Sequence, residues 1–141
     1  MSDMEKLTNS PEETKAFARG FAETLSGGEV ICLEGDLGVG KTVFVKGLAE
    51  GLGIDREILS PTFTIVREYE EGRLKLNHFD VYRVDDPDEM FYIGFEEYLS
   101  GGGVNVIEWA SNIEELLPDD AIRIQMTWRS ERERLIHISR P

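Results

Sequence analysis

Cysteine is nearly missing from this chain. One residue of that type, Cys32, stands among 141, so no internal disulfide can form, and a reducing compartment is expected. Long apolar runs are missing too. Nothing approaches the roughly 20 consecutive apolar residues that span a bilayer. The opening Met1-Ser2-Asp3-Met4-Glu5-Lys6 lacks the basic start and apolar stretch of a secretory signal. A cytoplasmic protein without membrane contact is therefore expected. Cations are scarce: 15 Lys and Arg stand against 28 Asp and Glu, a net charge of −13. Nucleic-acid affinity comes largely from Lys and Arg neutralising phosphates, so this balance opposes independent RNA or DNA binding. One local exception is Arg123, Arg129, Arg132, Arg134 and Arg140, crowded near the C-terminus. That patch suits a phosphate group, an acidic partner or plain solvation.

What is present reads as one ordinary folded domain, with 40 % hydrophobic and 30 % charged residues. Ser10, Pro11 and Glu13 give a helix its start, Phe17, Ala18, Phe21, Ala22 and Leu25 give it one apolar face, and Gly27-Gly28 ends it. Val30-Ile31-Cys32-Leu33 reads as a buried strand, and a helix is expected from about Thr42 to Leu52. Residues 64–83 read as two strands around a turn at Glu70-Glu71-Gly72-Arg73. Asp86-Pro87-Asp88-Glu89 opens one further helix using Met90, Ile93, Phe95 and Leu99, which Gly101-Gly102-Gly103 breaks. Val104–Ile107 is a strand. Ser111 and Glu114 form a capping box for a short helix before Pro118, and two strands close the chain at 122–128 and 135–140. Alternating helices and strands with hairpins predict an α/β domain with a mixed parallel/antiparallel sheet flanked by helices.

The strongest motif is Gly35-Asp36-Leu37-Gly38-Val39-Gly40-Lys41-Thr42, a complete G-x-x-x-x-G-K-[ST] between an apolar strand and a helix. Glycines let such a loop curl so that successive backbone N–H groups point at phosphate oxygens. The following helix adds the positive end of its dipole. Lys41 is placed to meet the β- and γ-phosphates and the Thr42 hydroxyl to ligate magnesium. Asp36, Leu37, Gly38, Val39 and Gly40 form the cradle itself. The fixed positions would coincide by chance in roughly one chain of 200 with such a composition. The expected ligands are ATP and Mg2+.

A magnesium site of this kind draws on an acidic residue at the tip of a neighbouring strand, and Glu108, after Val104-Asn105-Val106-Ile107, meets that description. Trp109 beside it reads as core or as ligand contact. His78-Phe79-Asp80-Val81-Tyr82-Arg83 puts His78, Asp80 and Tyr82 on one strand face. Asp80 either orients a water for hydrolysis or belongs to a solvent-facing sheet edge. Ser60-Pro61-Thr62-Phe63-Thr64 is either a γ-phosphate-sensing loop with Thr62 as its hydroxyl or an ordinary turn. His137 reads as an exposed strand residue.

Taken together, the glycine-rich loop, Ser60-Pro61-Thr62-Phe63-Thr64, His78–Arg83 and Val106-Ile107-Glu108-Trp109 resemble the bacterial tRNA threonylcarbamoyladenosine biosynthesis ATPase family, TsaE, formerly called YjeE, along essentially the whole chain. The resemblance implies a P-loop-type fold and weak intrinsic ATPase activity. It also implies two partner proteins, TsaB and TsaD, that install threonylcarbamoyl on adenosine 37 of tRNA, with RNA contact left to them. By the same resemblance Lys41, Asp80 and Glu108 act in catalysis, Thr42 and Glu108 serve the metal, and Thr62 is switch-like. The adenine would lie between the start of the first helix, at Ser10, and the hairpin around Arg132. Val39 replaces an alanine, and only its backbone is expected to matter. A small-molecule kinase and a nucleotide-dependent interaction module without turnover are the competing functions. The chain leaves little space for a kinase's lid and acceptor segments.

Overall fold

The computed structural model describes residues 2–36, 38–61 and 64–141. Leu37 of the glycine-rich loop and Thr62 and Phe63 of the Ser-Pro-Thr-Phe segment lie outside them. The strands are β1 (Ser2–Thr8), β2 (Val30–Glu34), β3 (Val66–Tyr69), β4 (Leu76–Asp80), β5 (Val104–Glu108), β6 (Ile122–Trp128) and β7 (Arg134–Arg140). They form one sheet in the order β1-β7-β6-β2-β5-β4-β3. Its centre, β6-β2-β5-β4, is parallel, and the β3–β4, β6–β7 and β1–β7 pairs are antiparallel. The expected mixed sheet is thus observed.

Period-2 alternation sends the central strands' side chains to two separate cores. Ile31, Leu33, Leu76, Val104, Val106 and Ile124 pack under α1 (Pro11–Ala22) and α2 (Lys41–Gly51). Cys32, Phe79, Val81 and Ile107 pack on the other side with Met90 of α3 (Glu89–Tyr92), Phe95 of α4 (Phe95–Ser100) and Ile113 of a 3-10 helix, Ala110–Leu116. The helices α1 and α2 touch closely because Gly47 faces α1: a Cβ there would sit 2.3 Å from the Lys15 carbonyl oxygen and 2.9 Å from the Ala18 Cβ. Ser10 caps α1 as expected, its side chain accepting from the Glu13 N–H at 3.1 Å. Among the described residues no helix is long and apolar enough to cross a membrane.

One strand was not foreseen and three readings need correction. The N-terminal residues form an edge strand, β1, in register with β7; its two apolar residues with described side chains, Met4 and Leu7, are three apart, so no period-2 alternation announces it. The single helix expected after Asp86-Pro87 is two, broken where Gly94 takes φ 77°. The segment after Trp109 is a 3-10 helix that Ser111 does not cap, and Glu114 instead pairs with Arg123 at 2.8 Å. Lastly, β4 is not a sheet edge: β3 and β5 flank it.

Candidate functional site

The glycine-rich loop connects β2 to α2, with Lys41 as the first residue of the helix. Gly40 precedes it at φ 107°, a left-handed conformation that L side chains rarely adopt. At Gly35 a Cβ would lie 2.7 Å from Val39 Cγ1 and 2.8 Å from the Met126 carbonyl oxygen, so that position has no room for a side chain. The loop closes on itself through the Val39 N–H, which donates to the Asp36 carbonyl at 3.1 Å. Val39 is fully buried, so its side chain is part of the core and the backbone-only expectation is corrected. Asp36, Gly38 and Thr42 are exposed.

Register gathers three strand-borne side chains on one face of the sheet, and one of them, Glu108, reaches the lysine of the loop. In the parallel β4–β5 pair Asp80 lies opposite Glu108 and His78 opposite Val106. By alternation His78, Asp80 and Glu108 therefore share the sheet face that α1 and α2 cover. His78 and Glu108 are both buried, and His78 Nε2 stands 2.6 Å from Glu108 Oε2. Lys41 is only 5 % exposed. Its Nζ has no hydrogen-bond partner among the described residues, lies 3.9 Å from Glu108 Oε1 and sits 4.2 Å from the centroid of the Trp109 ring. Trp109 has φ 61°, and its ring centroid lies 4.8 Å from that of Tyr82 with the rings tilted by 57°. It packs against the core that also holds Phe79 and Ile107, as its core reading expects, and its ring face meets the Lys41 ammonium.

Asp80 ends β4. Its Oδ1 accepts from the Tyr82 N–H at 3.0 Å, and its own N–H donates to the Ile65 carbonyl at 2.8 Å. Ile65, a β-branched residue at φ 67°, also donates its N–H to the Pro61 carbonyl at 2.8 Å. Such a conformation is a genuine outlier for an L residue with a branched Cβ. It ties the segment that contains Thr62 to Asp80. Glu34, at the end of β2, has its carboxyl pushed above the usual range by burial, with backbone N–H groups of Ser111 and Ala110 and the Lys41 charge opposing.

Beside the loop opens a cavity of about 430 Å³ lined by Ser10, Pro11, Gly38, Gly40, Arg132 and Arg134, among others. That volume falls in the range of small-molecule sites. Ser10 and Arg132, two residues far apart in sequence, meet there. Arg134, which from the sequence suits only the lid of the competing kinase and not the nucleotide loop, also lines this cavity. Its Nε donates to the Val39 carbonyl at 3.1 Å, and its guanidinium lies 5.5 Å from the Trp128 ring. Its presence in the basic C-terminal cluster was the one available signal. The cluster itself divides: Arg123 pairs with Glu114, Arg140 donates to Thr24 Oγ1 at 3.1 Å, and Arg132 faces the cavity.

The sequence model of the family described as threonylcarbamoyl adenosine biosynthesis protein TsaE matches residues 8–136 of the chain. This chain belongs to the TsaE family. A tRNA threonylcarbamoyladenosine biosynthesis protein TsaE from Bacillus subtilis (strain 168) is 49 % identical over 136 residues, covering 96 % of this chain and 85 % of the relative. TsaE proteins of Treponema pallidum (strain Nichols) and Rickettsia bellii (strain RML369-C) are 40 % and 38 % identical, over 96 % and 99 % of this chain and 100 % and 96 % of theirs. A crystal structure of Bacillus subtilis YdiB superposes with a TM-score of 0.87 at 44 % identity, covering 99 % of this chain and 86 % of that one. The fold of this chain is therefore that of a TsaE-family protein.

Proposed function

We propose that this protein binds ATP with magnesium on the glycine-rich loop, hydrolyses it slowly, and thereby supports threonylcarbamoyladenosine formation on tRNA by partner proteins of the TsaB and TsaD kinds. One observation carries the nucleotide reading: Lys41 Nζ, buried and without a hydrogen-bond partner among the described residues, at the first turn of α2. A buried cation without hydrogen bonds is costly, and an anionic oxygen at the helix start removes that cost. The loop fits the phosphates as well, since Gly38 and Gly40 take φ 82° and 107°, turns that let backbone N–H groups converge on an anion.

The protein residues also suit magnesium as it is commonly held beside nucleotides. No group of three or more His, Cys, Asp or Glu forms a metal cage among the described residues. A cation that keeps several waters and phosphate oxygens needs only one or two protein oxygens, and Thr42 and Glu108 supply them. When bound, the metal neutralises charge that develops on the phosphate oxygens. Lys41 holds the terminal phosphates, and Asp80, pinned between β4 and the Pro61–Ile65 segment, orients a water. Thr62 belongs to that segment's switch-like role. Asp36, Leu37, Gly38, Val39 and Gly40 wrap the phosphates, while the cavity between Ser10 and Arg132 takes the adenine.

The role beyond the nucleotide follows from the family and from charge. At −13 the chain repels RNA, so tRNA is held by partners. Phe91 and Tyr92, 77 % and 86 % exposed on α3, are large side chains left bare, as on surfaces that meet another protein. No helix crosses a membrane among the described residues, in keeping with cytoplasmic work. The test is calorimetry with Mg–ATP and Mg–GTP. Micromolar binding of the adenine nucleotide supports the reading, and no heat from either nucleotide overturns it.

A further inference from the structure

We infer that His78 is a positioning residue: it holds one oxygen of Glu108 so that the other faces Lys41 and the mouth of the glycine-rich loop. The inference rests on the ATP–magnesium reading above. A carboxylate has two oxygens, and here they are divided. Oε2 lies 2.6 Å from His78 Nε2, and Oε1 lies 3.9 Å from Lys41 Nζ. An ionised carboxylate only accepts, so Nε2 carries the ring proton and donates. The other ring nitrogen, Nδ1, is buried and has no hydrogen-bond partner among the described residues. Among those residues the Glu108 bond is therefore the polar contact that orients the ring.

The sheet explains why the two meet. His78 and Glu108 occupy one face of the parallel β4–β5 pair, one pleat apart: His78 lies opposite Val106, two residues before Glu108. Both side chains are withdrawn from water, at 2 % and 10 % exposure. A histidine–carboxylate bond sheltered in this way stops rotation of the terminal carboxylate torsion, which is otherwise broad. Without it, Glu108 is free to pivot the short distance onto Lys41 and close a contact ion pair. Such a pair would take the cation from the phosphates and both oxygens from the metal. His78 thus keeps acid and base apart at 3.9 Å, each available to the ligand.

Partners that orient a metal-ligating group commonly change metal affinity about 10–100-fold when removed. The experiment measures binding of a non-hydrolysable ATP analogue by calorimetry across a magnesium titration, for the wild type, His78→Ala and His78→Gln. It is paired with proton–nitrogen NMR of the nucleotide-free wild type. The expected NMR result is an imidazole Nε2–H on His78 protected from water exchange and lost in Glu108→Ala. The expected titration shows half-saturating magnesium raised at least about 10-fold in His78→Ala, with recovery in His78→Gln, whose amide N–H can donate at similar reach. A residue that merely fills space would lower the melting temperature and leave the magnesium requirement alone. Absence of the protected proton overturns the inference, as does a requirement in His78→Ala within twofold of wild type. A wild type that shows the proton but no magnesium-dependent nucleotide binding overturns the ATP–magnesium reading itself.

Discussion

Replacing Lys41 with Met separates what the lysine does for the fold from what it does for a ligand. Met keeps most of the apolar stem and removes the charge. In the nucleotide-free protein the two consequences nearly cancel. Attraction to Glu108 Oε1 at 3.9 Å is worth about 4 kcal/mol at an effective dielectric near 20, and the Trp109 ring adds ~1–2 kcal/mol. Against this stands a desolvation penalty of several kcal/mol for an ammonium on a residue that is 5 % exposed and makes no hydrogen bond among the described residues. Glu108 keeps His78 as a partner in the variant. The net change in stability is therefore expected within about 1–2 kcal/mol of zero. The ligand effect does not cancel. At a nucleotide concentration of roughly 100 Kd, binding stabilises the wild type by about 2.7 kcal/mol. For 141 residues with about 2.1 cal/mol/K of unfolding entropy each, that is an upward Tm shift of roughly 9 °C. Losing a charge-assisted phosphate contact at ~2–4 kcal/mol leaves the variant a shift of at most about 3 °C at the same concentration. Thermal unfolding with and without Mg–ATP reads both quantities. A full wild-type shift in Lys41→Met would refute the assignment of Lys41 to phosphate.

Three other outcomes follow from the geometry. Asp80→Ala and Glu108→Ala should each lower ATP hydrolysis at least ~10-fold while ADP affinity, set mainly by the loop, stays within a few-fold; steady-state rates and calorimetry compare the two. Gly47→Val should lower Tm by several degrees in thermal unfolding, because its side chain enters the space of the Lys15 carbonyl and Ala18. Cys32 should resist Ellman's reagent at pH 8 in the folded protein and react on unfolding, since burial raises its thiol pKa to about 11.

The parts of the site that were legible in the sequence are those encoded locally. The loop from Gly35 to Thr42 fixes its own geometry, and Glu108 announces itself as a carboxylate ending an apolar strand. The parts that were not legible depend on which strands become neighbours. Alternation alone placed His78 and Asp80 on one face, but it could not show that β4 lies inside the sheet, which buries His78 against Glu108. The edge strand β1 has its partner, β7, at the far end of the chain, and its Met4 and Leu7, three residues apart, give no period-2 signal. Trp109 lies over Lys41 because its backbone takes φ 61°, which sequence does not announce for a tryptophan. Val39 was read as backbone because the motif constrains only glycines, lysine and threonine, while the buried Cγ1 against Gly35 is a matter of packing. Thr62 and Leu37 lie outside the described residues, and their roles remain expectations from the motif.

The most direct test of the central claim is a multiple-turnover assay of threonylcarbamoyl transfer to tRNA by purified TsaB- and TsaD-like proteins. This protein would be present, absent or replaced by Lys41→Ala. The account predicts repeated rounds of modification only with the wild type, with ATP turnover raised by the partners above that of the isolated chain. Equal product in all three reactions would contradict it.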